Sequence, residues 1–103
     1  MKQYTTKEQT QHLIELGFSE PKIIANTEVE ELPSGLIHLF TRYDYSIGEL
    51  IEFLEANMSV TIWYDGNYHY WYVDYDLRRV GIDKHLINAL YGACVELKKE
   101  GVI

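Results

Sequence analysis

One cysteine, Cys94, excludes an intrachain disulfide, so the fold must be held by its own core. No run of 18 apolar residues occurs, which excludes a membrane-spanning helix. The opening Met1-Lys2-Gln3-Tyr4-Thr5-Thr6 lacks the apolar run of a signal peptide, and the expected location is cytoplasmic. Bases are scarce: nine Lys and Arg against sixteen Asp and Glu leave a net charge of −7. The excess lies in the first half, where the acids of residues 1–57 far outnumber the bases. A field of that sign repels phosphate and anionic lipid heads, which argues against nucleic-acid and membrane partners.

Chemistry-bearing spacings are also missing. His12, His38, His69 and His85 fall on four different elements, with no His-x-His or His-Glu-x-x-His pattern. Gly35, Gly48, Gly66 and Gly81 are isolated, so no loop is built to cradle phosphate. Cys94 sits on the apolar side of a helix, as a small buried residue would. Asp65, Asp74 and Asp76 supply oxygens for a hard cation but without metal-loop spacing, and a solvated strand edge explains them more simply. Neither a cofactor nor a metal is expected, and no catalytic residue is assigned.

What is present is enough apolar residue for one core: 47% of the chain, in 103 residues, points to a single domain. Three helices announce themselves by their ends. Thr5 with Glu8 has the spacing of a capping box, and Gly17 stops that helix so that Phe18 can fold back on Leu13. Ser46 with Glu49 forms a second box, flanked by Tyr45 and Leu50 at staple positions, ahead of Ile47, Leu50, Ile51 and Leu54 at helical spacing. A third helix spans about residues 83–100, with Leu86, Leu90, Ala93, Cys94 and Leu97 inward and Gly101 as its stop.

Strands fill the gaps. Residues 36–43 are apolar enough for an interior strand, and residues 60–65 and 68–76 flank Gly66-Asn67 as a hairpin. Residues 19–35, with Pro21, Pro33, Gly35 and the acidic run Glu28-Val29-Glu30-Glu31, read as mostly loop. The order α-β-α-β-β-α is then an α+β domain. A right-handed crossover through the second helix predicts a three-stranded mixed sheet, order 1-3-2, a split β-α-β arrangement.

Half of the fourteen aromatics lie in residues 63–75. Strand alternation sorts them into two faces. Val60, Ile62, Tyr64, His69, Trp71, Val73 and Tyr75 form the core face. Trp63, Asp65, Tyr68, Tyr70, Tyr72 and Asp74, with Thr61 and Asp76, form the other. That second face is either a stabilising set of cross-strand pairs or a protein-binding surface, since Tyr and Trp give contact area at little rotamer cost. Its carboxylates would favour a basic or hydroxyl-rich partner.

Two stretches, Tyr45-Ser46-Ile47-Gly48-Glu49-Leu50-Ile51-Glu52-Phe53-Leu54 and Leu86-Ile87-Asn88-Ala89-Leu90-Tyr91 continuing to Glu96-Leu97-Lys98-Lys99-Glu100-Gly101-Val102-Ile103, carry a likeness beyond these patterns. They resemble small uncharacterised proteins encoded in prophages and conjugative elements of gut bacteria. The resemblance implies an accessory protein of a mobile element and transfers no activity or site residue. The leading expectation is a non-enzymatic domain that binds a protein, or a second copy of itself, through Trp63, Asp65, Tyr68, Tyr70, Tyr72 and Asp74. Two other readings stand beside it: an acidic mimic of nucleic acid acting on a DNA-binding protein, and a small hydrolase or metal-dependent enzyme using His69 or the three aspartates.

Overall fold

Helix ends set the frame, and the computed structural model, which describes residues 3–55 and 59–103 (Phe40 by its backbone only), shows them in place. Helix α1 (Lys7–Glu15) starts at Thr6, whose hydroxyl accepts from the Gln9 amide while the Gln9 side chain accepts from the Thr6 amide. The box is therefore Thr6–Gln9 and not Thr5–Glu8, because Thr5 is buried in a polar chain of its own. At the other end Gly17 has φ +103°, and Phe18 N–H donates to the Leu13 carbonyl at 3.1 Å, the closure only a left-handed residue permits.

Strands β1 (Ile24–Glu31) and β2 (Ile37–Tyr43) follow as an antiparallel pair. The expected loop at residues 24–31 is thus a strand. Glu28 and Glu30 share one face, and Val29 and Glu31 take the other. The expected interior strand is instead half of a two-stranded ribbon, with Ile37 and Leu39 exposed.

Helix α2 (Ile47–Glu55) begins as expected: Glu49 N–H donates to Ser46 Oγ and Ser46 N–H to Glu49 Oε1, with Tyr45 and Leu50 fully buried beside the box. Strands β3 (Val60–Asp65), β4 (Tyr70–Tyr75) and β5 (Arg78–Asp83) then make an antiparallel meander in the order β3-β4-β5. The mixed 1-3-2 sheet does not form. The chain has a two-stranded and a three-stranded antiparallel sheet, so the α+β class and the three helices hold while the topology changes.

Helix α3 (Leu86–Lys99) is the centre of the core. Ile87, Ala89, Leu90, Ala93, Cys94 and Leu97 are all buried. Its small residues meet β5, where a Cβ on Gly81 would lie 2.2 Å from the Ala89 carbonyl oxygen and 3.3 Å from Ala93 Cβ. Cys94 faces α2, with Sγ 3.8 Å from the Leu50 carbonyl, and Tyr91 faces α1 through a 2.6 Å hydrogen bond to His12 Nδ1. One helix therefore packs on the inner face of β4 and β5 and carries the other two helices. No described helix packs on the outer face of that sheet. None of the described helices is long and apolar enough to cross a membrane.

Candidate functional site

Register decides which aromatics share the outer face. Trp63 pairs with Tyr72, Asp65 with Tyr70 and Thr61 with Asp74, as alternation expects. The turn between β3 and β4 holds four residues instead of two, but that even number keeps the parity and so the faces. Two residues expected in the core are exposed: His69 lies in the turn at φ +58°, with Nδ1 3.2 Å from the Tyr64 hydroxyl, and Tyr64 keeps its side of β3 but is 45% exposed beside that turn. Tyr68 is in the same turn and is 70% exposed.

The centre of the face is a built cluster. Trp63 lies on Tyr72 with centroids 4.4 Å apart, and its indole N–H donates to Asp74 Oδ2 at 2.8 Å. Arg79 of β5 donates from Nε to Asp74 Oδ1 at 3.1 Å and sets its guanidinium 3.9 Å from the Tyr72 ring centroid and 5.5 Å from that of Trp63. One carboxylate thus orients an indole and a guanidinium together. The tilted ring pair and the cation over the rings each stabilise it by about 0.5–1.5 kcal/mol.

The expected site residues play different parts in this cluster. Tyr72, 7% exposed, is a platform beneath Trp63 and Arg79 and offers little to a partner. Trp63 is 39% exposed and Tyr70 half-buried, so both present ring surface. Asp65 caps the turn by accepting from Asn67 N–H at 2.9 Å. Asp74 is matched by Arg79, so the face is charge-balanced at its centre and not acidic. Two residues of the face were not foreseen: Arg79, and Ile82, which pairs with Tyr72 and is exposed. Alternation could not have joined them: Arg79 and Ile82 have opposite parity and share a face only because β5 bulges at Val80, where Val80 and Gly81 both turn inward.

Reactive groups are dispersed. Asp65, Asp74 and Asp76 do not converge, and no group of three His, Cys, Asp or Glu side chains placed to hold a metal exists among the described residues. Burial pushes the Cys94 thiol up to about 12, far from a nucleophile's range. Burial, and then the charges of Glu49 and Glu20, push the Tyr45 phenol up to about 12 as well.

Both groups stay protonated in the fold, while an unfolded chain ionises from about pH 8.5 for Cys and about pH 10 for Tyr. The unfolded state then holds fewer protons, so stability is full below about pH 8 and falls between about pH 8.5 and 12. Thermal unfolding followed from pH 7 to 11 should show a falling midpoint. Cys94→Ala should remove the part of the fall that starts near pH 8.5, and an unchanged pH profile in that variant would contradict the assignment.

Comparison of the chain with known protein families, curated proteins and solved structures finds no match.

Proposed function

We propose that the protein is a non-enzymatic binding domain, an accessory protein of a mobile genetic element, that grips a protein partner on the outer face of β3-β4-β5. The observation that carries this reading is the asymmetry of the sheet. Helix α3 packs on one face at β4 and β5, leaving only Tyr64 of β3 well exposed there, while the other face holds Trp63, Tyr70 and Ile82 partly or well exposed with no described element above them. Aromatic surface fixed in place by Asp74 and Arg79 suits recognition, since its rotamers are already chosen before a partner arrives. Tyr68 and Asp65 extend the face to the turn, and Tyr70 and Trp63 form its apolar middle.

A partner with flat apolar surface and hydroxyl or amide groups matches the charge-balanced centre better than a strongly basic one. Trp63→Ala with Tyr70→Ala tests the reading. The double variant should lose capture of partner from host lysate while losing only about 1–3 kcal/mol of stability, since these rings rest on the sheet's outside. Undiminished capture, or a chain that no longer folds, would overturn it.

A further inference from the structure

The β1-β2 ribbon is the least covered part of the molecule. A two-stranded hairpin is at best marginal in water and needs a third strand or a packed face for stability. Here the ribbon stands out from the body: the radius of gyration is 15.9 Å and the longest extent 56 Å, against about 13 Å for the radius of a compact chain of this length. Its tip, closed by Leu32 N–H to Leu36 O at 2.8 Å and by Gly35 at φ +82°, lies far from the helices in sequence and in contact.

The two faces of the ribbon are chemically opposite. Pairing puts Glu28, Glu30, His38 and Arg42 on one side, where Arg42 forms an ion pair with Glu28 and His38 Nδ1 lies 3.6 Å from a Glu30 carboxylate oxygen. On the other side stand Ile24, Val29, Ile37, Leu39 and Tyr43, each between 44% and 68% exposed. Between the base pair Ile24–Tyr43 and the pair Val29–Leu39 that side carries only Thr27 and Thr41, with no charge. Its one carboxylate is Glu31, at the tip.

From this we infer that the apolar side of the ribbon is a self-association surface, packed face to face on the same side of a second copy with the two ribbons antiparallel. A self-complementary face of the size a dimer needs favours a second copy as the occupant. Copies of net charge −7 repel, and the uncharged ribbon side is where two of them can meet without opposing carboxylates. Antiparallel ribbons also hold the two Glu31 side chains an arm's length apart. The contact is self-complementary and closes about a two-fold axis, which limits assembly to a dimer. At roughly 100 Å² per apolar side chain, two such faces bury about 1,000 Å², the lower bound for a specific interface. The dimer is accordingly weak, with dissociation in the micromolar range.

Sedimentation equilibrium on the purified full chain tests this. The mass should rise with concentration from 12.1 kDa toward twice that value and should rise further at higher salt, because screening weakens the repulsion between copies. Leu39→Glu should weaken association about 100-fold or more with an unchanged unfolding transition, since the ribbon lies outside the core. Leu39→Cys should form covalent dimers on mild oxidation, whereas Glu30→Cys, on the charged side, should not. Trp63→Ala with Tyr70→Ala should leave the dimer intact, which separates this surface from the aromatic one. A chain monomeric at every concentration, or a dimer indifferent to Leu39→Glu, would overturn the assignment, as would a dimer lost with Trp63 and Tyr70.

Discussion

Gly81→Ala is expected to destabilise the protein by at least about 3 kcal/mol and to lower the unfolding midpoint by more than about 10 °C. The added Cβ would stand 2.2 Å from the Ala89 carbonyl oxygen. That atom belongs to the backbone of α3, so no side chain can turn aside; helix and strand must separate. Separation opens the contact of Ala89 and Ala93 with β5, at the centre of the core. Gly92 supplies the control. It lies within α3, and a Cβ there would meet nothing within 4 Å. Gly92→Ala should therefore stabilise the helix by about 0.5–1 kcal/mol. Equal midpoints for the two variants would mean that α3 does not lie on β5 as described.

Asp44→Ala should cost about 3–5 kcal/mol. Asp44 is 1% exposed and ends a buried polar chain: Tyr45 N–H donates to Thr5 Oγ1, Thr5 shares a 2.7 Å hydrogen bond with Thr10, and Thr10 Oγ1 donates to Asp44. Its second oxygen takes Arg42 Nε at 2.7 Å, and Arg42 reaches on to Glu28 in the middle of β1. Removing the carboxylate leaves a buried threonine hydroxyl without its acceptor and a guanidinium with one of its two counter-charges, Glu28. Asp44→Asn keeps an acceptor and should recover part of the loss. Denaturant unfolding of the two variants checks the order, and amide exchange in β1 and β2 should speed up most in the alanine form. Wild-type stability in Asp44→Ala would show that the polar chain contributes nothing.

The residues that were legible beforehand are those whose signal is local. Ser46 and Glu49 find each other within one helical turn, and Gly17 and Gly101 end their helices through bonds that span six residues or fewer. The sorting of Trp63, Tyr70 and Tyr72 onto one face followed from strand parity alone, which any even-numbered turn preserves. Thr6 replaced Thr5 at the first cap because Thr5 is claimed by Thr10 and Tyr45, contacts that local spacing does not contain.

The two missed strands have physical reasons. In β1 the run Glu28-Val29-Glu30-Glu31 looks like solvated coil, and its pairing with β2 depends on Arg42 and His38 across the ribbon. The turn into β5 uses Asp76 and Leu77, both at positive φ, with Leu77 wholly exposed. Leucine is a poor residue for that conformation, so local signals give no turn there and no element between residue 76 and the third helix. Losing β5 hid Arg79, which completes the cluster around Asp74. It also left the first strand to be placed in a sheet it does not join.

With only two tryptophans, the chain gives two indole N–H signals in a nitrogen-15 correlation spectrum. Trp63 stands on the open face, and Trp71, one register step along β4, is turned toward the helices. Adding the captured partner to labelled protein should move or broaden the Trp63 signal and leave that of Trp71 in place. A partner that shifts Trp71 or the ribbon amides while Trp63 stays silent binds elsewhere, and the outer face of the sheet is then not its seat.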